Sequence, residues 1–328
     1  IGVIDFFDTM YWDVDEHGPL PVAGTTARCI HLGEDCSSEF FDGLDHGGER
    51  HGVAVVEVLR DVAPDAEIVI GQATTASDYR TLIDWFDSRD VDIISRSLGS
   101  RYDGPGDGRG PLDSIASDAT DRGMTWVNSG GNNGELRYYR QPARLIRTRV
   151  AFGPTGTDTY LPFRGCVQLG GIRWAADWDL PPAERTDYDA YLIEAPPGAP
   201  STGRVVASST SNQRGGAPPL ELFDHSYCPA DDAGLYLELR WRGGDVSNDV
   251  IEITDYGNGI AWSTQSAYSA AVPIVDSDDP GVIAVGAIDP PGGTRLADYS
   301  SRGPTNDGRE APDIAAVSGF ASTTYGGP

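Results

Sequence analysis

A change in hydrophobic periodicity is the feature of this sequence that most constrains its fold. Up to about residue 135, short apolar runs of strand type alternate with segments whose apolar residues recur at helical spacing. Such alternation predicts an α/β domain, with a parallel sheet that helices cover on both faces. The predicted strands are 1–4, 68–70, 91–95 and 124–128, and the predicted helices are 51–62, 78–87 and 111–122.

From about residue 142 to 262 the helical spacing vanishes. Short alternating runs lie between clusters of Gly, Pro, Ser and Asp, which is typical of antiparallel strands. The apolar run 281–288 then resumes the earlier pattern. We therefore expect an α/β domain in two parts, 1–141 and 263–328, interrupted by an inserted antiparallel β-sandwich at 142–262. The strands predicted in the insertion are 167–169, 190–193, 235–241 and 250–254.

Length and charge exclude some function classes. The 328 residues allow two domains, and 24 basic against 50 acidic side chains give a net charge of −26. That charge argues against binding to nucleic acid or to anionic membranes. No apolar run approaches the roughly 20 residues of a membrane-spanning helix, so no membrane span is expected. We expect a monomer whose initiator Met and any leader lie outside the given sequence.

Four cysteines fall into two separated pairs. This arrangement predicts two disulfides, Cys29 with Cys36 and Cys166 with Cys228, and it favours an extracellular or cell-surface protein. No Cys-x-x-C spacing supports a zinc site. The first disulfide would close a short loop, and the second would lie inside the inserted β-region.

Three positions could carry chemistry. Asp5 ends the first predicted strand, His51 opens a helix, and Asn132 lies in the Gly/Asn-rich turn 130–134 after another strand. An aspartate and a histidine brought together can form the base of a nucleophilic triad, and a side-chain amide can bind an oxyanion. Each pattern also occurs as an ordinary turn, cap or surface residue, and His46 competes with His51 for the role of base.

Seven segments together, in their order, resemble the subtilisin-like serine proteases, or subtilases. The segments that match family motifs are 1–5, 51–54, 94–99, 126–134, 280–287, 299–304 and 311–316. The resemblance covers about residues 1–134 and 263–318 and implies a subtilisin-like α/β fold. The inserted region lies outside the common family core and is similar to the small β-sandwich modules of secreted proteases.

The resemblance implies a serine endopeptidase that needs no cofactor and acts on protein or peptide substrates. Asp5 would hold the tautomer of His51, His51 would act as general base, and Asn132 would stabilise the oxyanion. Substrate would pair with the backbone as an added strand. The substrate-binding residues implied are Ser97, Leu98, Gly99 and Gly130.

The sequence departs from the family pattern in three places. Phe6 and Phe7 follow Asp5 where the family has a small hydroxyl residue and Gly, and Val53 replaces a Thr. The family's nucleophile segment, Gly-Thr-Ser-x-Ala-x-Pro, is not found, and we expect that Ser to lie beyond Pro328. Ser318 is interpreted as a loop residue.

Two functions stay open. The chain is either part of an active serine endopeptidase or a non-catalytic homologue that binds peptides or a partner through its groove and sandwich. The codons that follow residue 328 would distinguish the two. A third possibility is that the sandwich is a carbohydrate or calcium module. Asp187 and Asp189 could present two carboxylates on one strand face to a structural Ca²⁺, although such alternation more often marks an exposed face. The sandwich is expected at one rim of the cleft.

Overall fold

The computed structural model describes residues 1–7, 26–35, 51–263, 266–289, 293–320, 322 and 324–325. Its first part alternates strands and helices, as the periodicity predicts. The strands are β1 (Gly2–Ile4), β2 (Thr26–His31), β3 (Glu34–Asp35), β4 (Val69–Ala73), β5 (Ile93–Arg96) and β6 (Thr125–Ser129). The helices are α1 (His51–Val62), α2 (Ala76–Asp87) and α3 (Pro111–Asp121).

The middle of the chain forms two antiparallel sheets. Its strands are β7 (Tyr138–Pro142), β8 (Leu145–Ile146), β9 (Arg149–Val150), β10 (Leu161–Pro162), β11 (Leu169–Trp174), β12 (Asp187–Ala195), β13 (Arg204–Ser209), β14 (Leu220–Glu221), β15 (Gly234–Gly243) and β16 (Val250–Asp255). One sheet has the order β13-β12-β15-β9-β8, with β10 also paired to β15, and the other has the order β14-β11-β16-β7. Both contribute to one apolar core, in which the Trp174 and Tyr188 rings meet edge to face at 4.9 Å. The predicted boundaries at 141 and 262 stay predictions.

The last part of the chain returns to the first sheet. It adds β17 (Val282–Ile288) and β18 (Ile314–Val317), which completes the order β18-β17-β6-β5-β1-β4-β2-β3. Neighbouring strands are parallel throughout, except that β3 runs antiparallel to β2. The interruption of the sheet between β6 and β17 confirms an α/β fold with an insertion.

Helices cover both faces of the large sheet. Val53 and Val56 of α1 pack with Val3 of β1 on one face. Leu82 of α2 and Ile115 of α3 pack on the opposite face, in a cluster that contains further residues of β1, β5 and β6. No helix in the described ranges has the length and apolar character needed to cross a membrane.

A buried ion pair attaches the insertion to the α/β domain. Arg173 of β11 donates to Glu252 of β16 at 2.8 Å, and its guanidinium also donates to the carbonyl oxygens of Gly104 and Ala271 in the α/β domain. Burial tends to raise the pKa of Glu252, but the adjacent Arg173 holds it below its usual value. Asn306 donates to the same carboxylate at 2.7 Å.

One disulfide prediction is confirmed in full. Cys166 and Cys228 are bonded within the insertion, with Cα atoms 4.1 Å apart. Cys29 is also disulfide-bonded, but its predicted partner Cys36 lies outside the described residues, as does His46.

Several strand predictions need correction. The strand predicted at 167–169 begins only at Leu169, and Val167 makes an isolated bridge to Tyr227. The strand predicted at 68–70 runs from Val69 to Ala73. Strands β2, β3 and β18, at the two edges of the large sheet, were not expected from the sequence.

Candidate active site

Asp5 and His51 meet at the carboxyl end of the central strand β1. Asp5 directly follows β1, and His51 is the first residue of α1. His51 Nδ1 lies 2.9 Å from Asp5 Oδ1 and 3.0 Å from Oδ2. The structure therefore brings together the two residues that the sequence separates by 46 positions.

The contact depends on a close approach between two backbone segments. The Gly52 amide donates to the Phe6 carbonyl at 3.2 Å, and a Cβ on Gly52 would lie only 2.6 Å from the Phe7 ring. A side chain at position 52 would push α1 away from the segment after β1. The Phe7 ring packs with Val53, so two of the three residues that depart from the family pattern help to set this distance.

The Asp5 carboxylate is completely buried. Burial raises its pKa above the usual value, while the hydrogen bonds from His51 and from the Phe6 amide, at 2.8 Å, oppose that effect. His51 keeps 41% of its side chain exposed. The pair thus consists of a buried carboxyl group and an imidazole that is partly exposed to solvent.

Asn132 lies in the turn after β6. It is exposed and borders the same cavity as His51. Its neighbour Asn133 is buried and anchors the turn, because the backbone N–H of Asn133 donates to Ser301 Oγ at 3.0 Å. Gly130 also lines this cavity, and its amide donates to the Val285 carbonyl at 2.7 Å. The turn therefore places Asn132 on the wall of the cavity that His51 also lines.

The segment Ser97-Leu98-Gly99 directly follows β5, and Ser97 lines the cavity. Arg96 anchors this segment by hydrogen bonds. Its buried guanidinium donates to the Leu98 carbonyl at 2.8 Å, to Ser100 Oγ at 2.7 Å and to Asn128 Oδ1 at 3.1 Å. Sequence reasoning had not assigned a role to Arg96, since its function arises from these contacts.

The cavity has a volume of about 900 Å³. His51, Ser97 and Asn132 stand on its wall together with apolar residues of α1, such as Val55 and Val58. This volume lies within the range of ~300–1,000 Å³ that ligand pockets commonly span.

Ser318 lies on the cavity wall as well. Its hydroxyl donates to the Ile288 carbonyl at 2.8 Å, and its amide donates to the same carbonyl at 3.0 Å. Both groups fasten the end of β18 to β17. These bonds agree with the interpretation of Ser318 as a structural loop residue.

The carboxylates considered for Ca²⁺ lie at the start of β12. Asp189 is only 8% exposed, so the expectation of an exposed strand face was wrong for this residue. Its carboxylate accepts hydrogen bonds from Tyr191 and from Arg242, at 2.8 and 2.5 Å. In the part of the chain that the structure describes, no group of three His, Cys, Asp or Glu residues could hold a metal ion.

Comparison with known proteins supports the fold. No protein-family model and no curated protein sequence matches the chain. The solved structure of the CspB protease of Clostridium perfringens is similar, with a TM-score of 0.54 and 13% identity over 98% of this chain and 77% of that one. A thiamine pyrophosphokinase of Bacillus subtilis covers 77% of this chain and 97% of its own at a TM-score of 0.18 and 12% identity, too low to indicate a shared fold. The chain has a subtilase-like fold.

Proposed function

We propose that this chain is part of a serine endopeptidase in which His51 is the general base, Asp5 orients it and Asn132 stabilises the oxyanion. The contact of 2.9 Å between His51 Nδ1 and Asp5 carries the proposal. An ionised carboxylate can only accept, so we assign the imidazole proton to Nδ1. Nε2 then has the lone pair that a general base needs.

The reaction would proceed by acyl transfer. As the oxygen of a serine hydroxyl attacks the substrate carbonyl carbon, His51 takes the proton of that hydroxyl. The Asn132 amide donates to the resulting oxyanion, and His51 returns the proton to the leaving amine. Water then hydrolyses the acyl-enzyme by the same steps. The buried Asp5 keeps the imidazole oriented throughout and stabilises its charged form.

The attacking serine is proposed to lie in a segment beyond residue 328. The hydrogen bond from Ser318 to the Ile288 carbonyl supports this proposal, because the Ser318 hydroxyl already donates to the backbone. The apolar residues of α1 on the cavity wall, Val55 and Val58 among them, could pack against that segment. We also propose an extracellular location, for which the Cys166–Cys228 disulfide is the support, and a monomeric state.

The test uses the protein encoded by the complete reading frame. A fluorophosphonate probe, which reacts with activated serines, should label it, and it should cleave an unfolded protein substrate. His51→Ala should abolish labelling and cleavage together. His225→Ala is the matched control, since His225 is an exposed histidine of the insertion and should leave both unchanged. Absence of labelling in the wild-type protein would reject the peptidase and favour the peptide-binding homologue.

A further inference from the structure

Tyr256 links the inserted β-region to the candidate active site. This residue directly follows β16, and its amide donates to the Gln168 carbonyl of the same region at 2.8 Å. Its hydroxyl crosses to the α/β domain and donates to the Ser100 carbonyl at 2.6 Å. The ring lies against Gly99, where an added Cβ would be 3.3 Å from Tyr256 Cε1.

Burial raises the pKa of Tyr256 to about 12, although the nearby charge of Arg96 opposes this rise. The hydroxyl therefore keeps its proton across the ordinary pH range and remains a donor to Ser100. Tyr256 thus links the segment after β5 to the inserted β-region.

The segment after β5 makes three more contacts with the insertion. The Tyr102 amide donates to the Gly170 carbonyl at 2.8 Å, the Tyr102 hydroxyl bonds Thr254 Oγ1 at 2.5 Å, and Arg101 donates to the Phe223 carbonyl at 2.7 Å. Arg96 holds the opposite side of this segment at Leu98 and Ser100. Residues 98–102 are therefore clamped between the α/β domain and the insertion.

We infer that Tyr256 is a positioning residue that fixes the substrate-binding segment 97–99 against the inserted β-region. The inserted β-sandwich would then be part of the substrate-binding machinery and not an appended module. The inference rests on the proposed function, because it assigns Ser97, Leu98 and Gly99 to substrate binding. No contact of Tyr256 with substrate is needed.

Tyr256→Phe tests this role in the protein from the complete reading frame. The ring stays in place, but the Ser100 carbonyl loses its donor and the clamp loosens. We expect kcat/KM for an extended peptide of six or more residues to fall by about 2- to 12-fold, the factor that one net hydrogen bond commonly contributes. The loss should appear mainly in KM. A small acyl ester, too short to pair with residues 97–99, should change much less.

Tyr188→Phe is the matched control. Tyr188 is a fully buried tyrosine of the insertion, and its hydroxyl donates to Asp249 at 2.7 Å, away from the cavity. Both variants lose one buried hydroxyl and should lose comparable stability. Only Tyr256→Phe should change the ratio of peptide to ester hydrolysis.

A second measurement does not need peptidase activity. Amide hydrogen exchange at Tyr102, whose amide is bonded to Gly170, should accelerate in Tyr256→Phe and not in Tyr188→Phe. Equal exchange and an equal peptide-to-ester ratio in the two variants would overturn the inference. If the wild-type protein hydrolyses nothing, the proposed function fails. The positioning role is then decided by the exchange rates and by the affinity of each variant for the extended peptide.

Discussion

His51 Nδ1 lies 2.9 Å from a carboxylate oxygen of Asp5, and the two residues come from the end of a central strand and the first turn of a helix. The Asp5 side chain has no exposure to solvent. An imidazole that loses this partner can rotate or take the other tautomer, because the carboxylate holds the proton on Nδ1.

Asp5→Asn should therefore reduce kcat by about 10⁴-fold while leaving the fold intact, as expected when the wrong tautomer is favoured. The measurement is peptide hydrolysis by the protein from the complete reading frame. Asp121→Asn, at an exposed position in α3, provides a control with the same change of charge. A loss below about 10-fold in Asp5→Asn would be incompatible with the orienting role.

Asn132→Ala should lower kcat by about 10²- to 10³-fold with little change in KM, since an oxyanion donor acts mainly in the transition state. Steady-state kinetics with a chromogenic peptide would separate the two parameters. Asn248→Ala removes an exposed asparagine of the insertion and should have no effect. A rise in KM without a fall in kcat would place Asn132 in ground-state binding instead.

Stability should decline as the pH rises from about 4 to 7. Burial raises the pKa of Asp113 to about 7, and it also raises the pKa of the adjacent Asp276, to which Asp113 is electrostatically coupled. The folded form then holds protons that the unfolded chain releases at a lower pH. The free energy of unfolding should fall by roughly 1.4 kcal/mol per pH unit for each such proton, and level off above the folded-state pKa.

Urea unfolding at constant ionic strength, at pH 5, 6, 7 and 8, would measure this slope. Asp276→Asn keeps the shape but removes one carboxyl of the pair, so its stability should vary less with pH. Asp121→Asn should retain the wild-type slope, because that carboxyl is exposed. A wild-type stability that increases between pH 5 and 7 would contradict the assignment.

The Cys166–Cys228 disulfide closes a loop with a sequence separation of 62. Replacing both cysteines by serine should cost about 4 kcal/mol in the free energy of unfolding, by the loop-entropy relation. The Cys166 carbonyl accepts from the Asn258 amide at 2.8 Å, two residues beyond Tyr256. The double variant should therefore also bind extended peptides more weakly. Unchanged stability in urea would show that the bond adds no constraint.

The sequence predicted the centre of the sheet better than its edges. Strand β1 has an apolar run because both of its faces are covered, and α1 has Val53 and Val56 at helical spacing. Strand β18 escaped prediction since all four of its residues are exposed at the sheet edge. Strands β2 and β3 lie at the opposite edge and lack a continuous apolar run as well.

The contact of Asp5 with His51 could be predicted because each residue lies in a short recognisable motif. Tyr256 could not be found in this way. Its importance comes from Ser100, which is 156 positions away, and the local sequence around Tyr256 is typical of a turn. Arg96 is similar, for its role depends on a fold that turns Leu98 and Asn128 toward one guanidinium.

The contact between Tyr256 and Ser100 also sets an order of events during synthesis. A ribosome that moves from the amino end delivers Asp5, His51 and Asn132 long before it delivers residue 256. Until the sandwich has emerged and folded, the segment from Leu98 to Tyr102 has only the Arg96 side of its clamp. Contacts of such long sequence separation form late, because closing the intervening loop costs entropy first. The nascent chain thus contains Asp5, His51 and Asn132 early, but residues 98–102 gain their contacts with the insertion only after the insertion is complete.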